Sequence, residues 1–508
     1  MIPINNVVAG QDDSRTGGAD PDEEIRNMEQ AGPDKDKTRL WRSGSMSKLS
    51  KRDNVGNNGK RPFAGMNKMR SHAAGLDIGA HEIVGCVPSE IANTQEVQTF
   101  GTYTSDLAAI GDWFQAKGIT SVAMESTGVY WIPAFEYLES LGIECCLISA
   151  AALKKVPGRK TDVLDSQWIQ TLHSYGLLNA SFRPEADIVA LRTLLRHRAQ
   201  LVEHRSPHIL HMQKALLQMN LQLSQVLTSI TGQTGLLIIR AIVAGERDPQ
   251  QLAALRNWRC QKDEAEIAES LTGTWRDEHL FVLKQSLAMY DFYSGQTAEC
   301  DQEIERAFSV IKPRWEATAA EEAVIMADGA GKKDNRSKNA PQNVQSRAHI
   351  KRITGVDLMA VPGISASLAQ TILAEIGTDM SKFPNEKHFC SWLGLAPKNE
   401  VSGGKTLKSR TLKTKNRAGQ AFRLAARAQV RSDSEFGAFY RRMKGRVGPA
   451  QAMVATAHKM ARVIFHMLSK GEEYRPLGAA EYEEQSKERQ IQFLKRKAAK
   501  LGLQVVPT

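Results

Sequence analysis

The feature that most constrains this 508-residue chain is the run of short apolar segments that begins at Ala74. Gly75-Leu76-Asp77-Ile78-Gly79 opens one strand, His81 to Val87 is a second after a tight Gly-Ala turn, and Val97 to Thr104 is a third. Three strands in succession read as a meander. Ser105 to Lys117 then has helical spacing with Ser105 as N-cap, Thr120 to Glu125 is a strand, Ile132 to Leu141 a helix, Ile143 to Ser149 a strand, and Thr161 onward is helical again. The order βββαβαβα calls for a mixed sheet flanked by helices.

That order is the one of the RNase H-like fold, and acids fall at telling places in it. Asp77 lies in the first strand among apolar neighbours, where a lone buried carboxylate is costly. Glu125 ends its strand just before Ser126-Thr127-Gly128, at the carboxyl edge where open α/β sheets gather their chemistry. Asp162 and Asp165, three apart at a helix start, share one face with Cβ atoms about 6 Å apart. Singly, each acid has an ordinary explanation in a helix dipole or a cap. Together they make the hard-oxygen set that Mg²⁺ takes, with positions left for water and phosphate. Two such ions about 4 Å apart would stabilise the attacking and leaving oxygens of a phosphoryl transfer.

The rest of the chain divides by composition. Residues 1–72 form a charged arm with scarcely any apolar periodicity, a composition expected to stay disordered. An α/β domain spans 73–185. Leu, Ile and Val recur at three and four spacing from Asp187 to about Leu223 and from His279 to Ile311, predicting a long helical or coiled-coil hairpin within 186–326, kinked at Pro207. A polar linker or insertion covers 327–350, a mostly helical domain 351–475 and a charged helical tail 476–508. Val361-Pro362-Gly363-Ile364 before an apolar helix reads as the turn of a helix-hairpin-helix-like unit, or as an ordinary turn. Basic helices are expected over 418–431 and 449–469. The fold class is thus α/β plus α-helical.

The formal net charge is +11, and residues 398–446 alone carry fourteen Lys or Arg against three acids, so one block accounts for the whole excess. Such a block is the footprint of phosphate-backbone binding, though a solvated helix face looks the same in sequence. Six cysteines without a CxxC pair argue against a zinc knuckle or disulfide framework and suit a reducing cytoplasm. No apolar run reaches the length of a membrane span. His197, His204, His208 and His211 recur on one nominal helix face, but Arg196, Arg198, Arg205 and Pro207 interrupt it, so a polar helix surface or a nucleic-acid contact is the better reading than a metal site. Trp131 and Trp392 read as packing residues.

The runs Leu76-Asp77-Ile78-Gly79, Met124-Glu125-Ser126-Thr127-Gly128-Val129-Tyr130-Trp131 and Arg159-Lys160-Thr161-Asp162-Val163-Leu164-Asp165 resemble the Asp-Glu-Asp-Asp transposases of the IS110 insertion-sequence family, to which pilin-gene invertases of the Piv type are similar. The likeness resumes at Val361-Pro362-Gly363 and at Trp392-Leu393-Gly394-Leu395-Ala396-Pro397 leading to Ser402-Gly403-Gly404-Lys405. It implies a RuvC-like domain holding Mg²⁺ on Asp77, Glu125, Asp162 and Asp165, and a carboxy-terminal domain whose serine nucleophile, by position, is Ser402. It further implies double-stranded DNA as substrate, a structured non-coding guide RNA (the bridge RNA), a homo-oligomer and a bacterial cytoplasmic, nucleoid-associated setting.

A serine hydroxyl is a weak nucleophile at neutral pH and needs a base or a metal, which the acids supply if the two domains meet. Gly403 and Gly404 admit a phosphate close to the backbone, and Lys405, Lys408 and Arg410 hold it, with Lys160, Gly363, Lys413, Lys415 and Arg417 as further expected nucleic-acid contacts. On its own, Ser402-Gly403-Gly404 also reads as a hairpin tip. A RuvC-like structure-specific nuclease and a non-catalytic nucleic-acid-binding regulator are the rival functions.

Overall fold

The computed structural model describes Phe63 and residues 66–91, 94–153, 165–315, 318–331, 339–342, 344–411 and 416–504. Most of the charged arm, and Lys160, Asp162, Lys413 and Lys415, lie outside them. The chain divides into two units, Met1–Asn67 and Lys68–Thr508, and every strand and helix named below belongs to the second.

Strands β1 (Ala73–Ile78), β2 (Ile83–Pro88) and β3 (Gln95–Phe100) form the meander. Helix α1 (Thr104–Ala116), strand β4 (Ser121–Glu125), helix α2 (Trp131–Ser140) and strand β5 (Glu144–Ile148) complete a sheet ordered β3-β2-β1-β4-β5. The first three strands pair antiparallel, whereas β1, β4 and β5 pair parallel through helical crossovers, as the element order requires. Two of the boundary differences from the sequence reading have a visible cause. The Gly79 N–H donates to the Glu82 carbonyl, so His81 and Glu82 belong to the turn rather than to β2. The Asp106 carboxylate accepts from the Tyr103 N–H at 2.9 Å, which starts α1 at Thr104 behind Tyr103 and shortens β3.

Period-two alternation assigns the two faces. Ala74, Leu76 and Ile78 of β1 and Val122 and Met124 of β4 pack with Leu107, Ile110 and Phe114 of α1 and Ala134, Phe135 and Leu138 of α2. The opposite face carries Ala73, Gly75 and Asp77 beside Ser121, Ala123 and Glu125. After the short α3 (Ala150–Leu153), helix α4 (Asp165–Ser174) seats on that face.

Helix α5 (Ala186–Gln218) follows as one helix with Pro207 inside it. Short helices α6 (Leu223–Val226), α7 (Gln233–Ala244), α8 (Pro249–Ala254) and α9 (Glu264–Ser270) lead to α10 (Asp277–Val310), which returns antiparallel along α5. Met212, Ala215 and Leu216 of α5 and Leu283 and Leu287 of α10 share a core with α7, α8 and α9, so the far end of the hairpin is a small helical subdomain. The near end belongs elsewhere. Ile188 and Leu191 of α5 and Ile304 and Phe308 of α10 are buried in one core with the carboxy-terminal helices.

The carboxy-terminal part begins with α11 (Ala319–Gly331), which extends into the stretch read as linker, and the helices that share this core begin with α12 (Ser346–Thr354), α13 (Ala366–Ile376) and α14 (Glu386–Trp392). Next come the ribbon of β6 (Pro397–Ser402) and β7 (Lys405–Thr411), then α15 (Arg417–Ala428), α16 (Glu435–Val447), α17 (Pro449–Lys470) and the tail helix α18 (Ala479–Ala499). Arg192 of α5 donates to the Ala374 and Glu375 carbonyls at the end of α13, and Arg196 grips the Glu375 carboxylate with two hydrogen bonds of 2.9 and 2.8 Å. These charge-assisted bonds fasten the root of the hairpin to the carboxy-terminal domain.

The connector between α4 and α5 is pinned on both sides. The Ser181 N–H donates to the Leu147 carbonyl of β5, Phe182 stacks on Phe383 and meets Trp392 edge-on, and Lys382 pairs with Glu185. Trp131 packs edge-on against Phe135, so both tryptophans take part in packing. His204 and His208 lie against Tyr293 on α10. All six cysteines are free, and among the described residues no helix is long and apolar enough to cross a membrane.

Candidate active site

Asp77 and Glu125 stand side by side at the carboxyl ends of β1 and β4. In the parallel register Leu76 stands beside Met124, so the next residues, Asp77 and Glu125, are neighbours on strands about 4.8 Å apart and point to the same face. The Ser126 N–H donates to the Ile148 carbonyl at 2.8 Å, holding β4 against β5 one residue beyond Glu125. The Thr127 hydroxyl donates to Glu125 Oε1 at 2.7 Å and orients that carboxylate.

Helix α4 brings the third acid. Its last residue, Ser174, accepts through its carbonyl from the Met69 and Arg70 N–H groups, and the Gln170 amide donates to the Ala73 carbonyl. A Cβ added at Gly75 would stand 2.5 Å from the Ser166 carbonyl oxygen. The helix therefore descends β1 antiparallel, and its first turn, with Asp165, lies toward the Asp77 end of the strand. Small residues on the facing strands, Ala73, Gly75, Ser121 and Ala123, make this close approach possible.

Three expected acids are thus directed to one sheet edge from β1, β4 and the start of α4. Carboxylates of this kind suit a hard divalent cation. Among the described residues no three His, Cys, Asp or Glu side chains are gathered into a complete metal-holding group, and the fourth acid, Asp162, lies outside those residues.

Behind the acids, Ser121 Oγ and His173 Nε2 are 2.7 Å apart, and His173 is buried with no partner for Nδ1 among the described residues. Burial, reinforced by the Arg70 charge, pushes the His173 imidazole down from 6.5 to about 4. The unfolded chain therefore takes up a proton at this position before the folded one does. Stability contributed by the neutral imidazole is complete above about pH 6.5 and is lost as pH falls toward 4. Thermal melts across that window are expected to show a shallower decline of Tm for His173→Gln than for the parent; identical slopes would remove His173 as the cause.

The second expected centre is the ribbon. Ser402 pairs with Lys405 across Gly403 and Gly404, whose φ angles of 54° and 75° are those of a two-residue type I′ turn that only residues tolerant of positive φ occupy readily. Ser402, Gly403, Gly404, Lys405 and Arg410 are exposed, and the side chain of Lys408 lies outside the described ones. Val401 and Leu407 are also exposed, beside a register shift that follows Glu400. Arg417 is exposed in the first turn of α15.

Gly363 differs. At φ 92° a Cβ there would stand 2.6 Å from the Ala425 carbonyl, so the need for glycine is met by packing against α15. Several cations of the basic block are likewise engaged within the protein: Arg423 donates to the Gly394 carbonyl, Arg441 to the Ser432 carbonyl and Arg442 to the Tyr482 hydroxyl. The sequence reading missed Thr127 and Gly75, whose signals are a hydroxyl two residues after a strand-ending acid and a run of alternating small residues.

Residues 74–221 match the DEDD family model of IS110, described as transposase, and residues 357–441 match the model described as transposase, IS116/IS110/IS902 family. No curated protein matches the chain.

Proposed function

The chain belongs to the IS110 family of transposases, and on that premise we propose that this DNA transposase cuts and rejoins strands by Mg²⁺-dependent transesterification through Ser402. Asp77, Glu125, Asp162 and Asp165 are the metal-binding acids in this reading. The observation that carries it is the placement of Asp77 beside Glu125 at the carboxyl edge of β1 and β4, with the first turn of α4 directed to the same face. The matched domain points to a divalent cation, and an all-carboxylate donor set favours Mg²⁺ over softer metals. When bound, such an ion neutralises phosphate charge and acidifies an attacking hydroxyl.

The serine Oγ attacks the scissile phosphorus, an Oγ–P bond forms, and a deoxyribose hydroxyl leaves carrying a proton. The serine's own proton passes to solvent or to a carboxylate. A hydroxyl of the second DNA strand then displaces Ser402 and restores a phosphodiester, so one bond is exchanged for another throughout. In this reading the exposed tip leaves the hydroxyl accessible to DNA, with Lys405 directly across from Ser402 and Arg410 further along the same ribbon for the backbone. A guide RNA and a homo-oligomer belong to this reading on the strength of the resemblance.

One observation favours a second reading. The type I′ turn explains Ser402-Gly403-Gly404 as a hairpin without any chemistry, as in a RuvC-like nuclease that hydrolyses DNA. The two are separated by incubating the protein with Mg²⁺, duplex DNA bearing the element's ends and RNA transcribed from those ends, then mass-mapping DNA-linked peptides. Strand transfer predicts a linked peptide containing Ser402, and loss of both link and exchange in Ser402→Ala with DNA binding retained. Nicks that persist in Ser402→Ala without any linked peptide would establish hydrolysis.

A further inference from the structure

The turn between α8 and α9 carries a tryptophan that the fold does not use for packing. Trp258 is 79% exposed, although its subdomain has its own core and accommodates a second tryptophan, Trp275, against that core. A side chain of this size is ordinarily among the most buried in a protein, so its near-complete exposure calls for another explanation.

Chain slack is not that explanation, because the turn is built. The Asn257 N–H donates to the Thr234 hydroxyl at 3.0 Å, and the Asn257 side-chain amide donates to Gln233 at 3.2 Å. Its oxygen accepts from the Arg259 N–H, the Cys260 N–H donates to the Asn257 carbonyl, and the Arg256 guanidinium reaches the Cys260 carbonyl. Asn257 is thus the pivot, anchored to the start of α7, and Trp258 is held outward from it. The Arg259 guanidinium lies over the indole, 4.8 Å from the ring centroid, and among the described residues no carboxylate pairs with it.

We propose that Trp258 and Arg259 form a stacking platform for an unpaired nucleotide, at the far end of the helical hairpin and outside the core that carries the acids. The indole presents a flat π-face to a base, and the stacked guanidinium keeps its N–H groups available for the adjoining phosphate. Every base has a π-face, so recognition of this kind is tolerant of sequence and demands only that the base be unstacked from a partner strand. A duplex offers no such face at its interior steps. A protein contact would also employ Trp and Arg, but it surrounds them with an apolar, water-excluding rim. Here the flanking chain is polar, with Arg256, Asn257 and Gln261 around the pair and Lys262 held by Glu266, so no apolar segment adjoins Trp258 in sequence, and Arg259 remains as the cation beside the ring.

The test uses the full chain and fluorescence anisotropy with labelled 12-nucleotide single-stranded DNA, the matching RNA and the matching duplex. Trp258→Ala is expected to weaken binding of one or both single strands about tenfold and to leave duplex affinity within about twofold. Trp258→Phe, which keeps a ring, should restore most of the loss. The single strand that loses more identifies whether DNA or RNA is the source of the unpaired base. Unchanged affinity for both single strands overturns the proposal, as does an equal loss on the duplex. A smaller sedimenting species for Trp258→Ala with unaltered oligonucleotide binding overturns it in favour of a contact between copies of the chain. Because no strand cleavage is measured, failure here leaves the roles of the acids and Ser402 untouched.

Discussion

Replacing Asp77 by asparagine is expected to lower DNA strand cleavage about a thousandfold or more, the order of loss seen when one preorganised electrostatic group is removed from a reacting centre. The substitution keeps the volume and planarity of the side chain and removes only its charge. Asp77 shares its face of the sheet with Gly75 and stands beside Glu125, so the lost charge is one of three carried to that edge by β1, β4 and α4. Thermal stability should shift by no more than about 4 °C, since Leu76 and Ile78, not Asp77, fill the core on the opposite face. Calorimetric titration with Mn²⁺ as a reporter ion should show weaker binding alongside the loss of cleavage. Cleavage at the parent rate would remove Asp77 from the chemistry and with it the reading of this edge as the active site.

Gly75→Val is expected to be the most damaging single change to the α/β domain. The first atom added at residue 75 already meets the backbone of α4 at Ser166 and Gln170, and backbone has no rotamer by which to retreat. The helix must lift from the sheet, separating Gln170 from Ala73 and Ser121 from His173. Overpacking of this kind costs about 3 kcal/mol, and lifting the helix also displaces the turn that bears Asp165, so activity should fall further than stability alone explains. Gly295→Ala supplies the contrast, because it lies exposed inside α10 with open space around it. There alanine should stabilise by about 0.5 to 1 kcal/mol through helix propensity. Chemical denaturation of the two variants checks both signs; a Gly75→Val protein as stable as its parent would show that α4 does not sit on β1 as described.

The candidate site was legible to the extent that local pattern specifies it. Period-two alternation marked β1 and β4, and the order of strands and helices implied which strands pair parallel, so Asp77 and Glu125 were expected at one sheet. Sustained three and four spacing likewise marked α5 and α10, close to their observed spans of Ala186–Gln218 and Asp277–Val310. Alternation does not say what covers each face. That Ala73, Gly75, Ser121 and Ala123 form the seat of α4 rests on helix backbone meeting sheet backbone, a contact between segments roughly ninety residues apart that leaves no periodic trace.

The carboxy-terminal half shows the same division more sharply. A net excess of eleven charges between 398 and 446 was readable as a total, but its apportionment was not. Arg423, Arg441 and Arg442 close hydrogen bonds inside the domain, while Lys405 and Arg410 project from the ribbon. At Gly363 a side chain is barred by the Ala425 carbonyl behind it, a close approach that the sequence does not reveal. Nor did composition reveal that the root of the helical hairpin shares one core with the carboxy-terminal helices, through Ile188, Leu191, Ile304 and Phe308.

The sequence by itself determined the element types, the mixed sheet and the edge at which two of its acids stand, because backbone sterics and apolar periodicity act between near neighbours in the chain. Tertiary structure alone decided the seat of α4, the division of the basic block between structural and exposed cations, and the exposure of Trp258. Each of those depends on which distant surfaces exclude water from one another, and that is settled only when the whole chain packs.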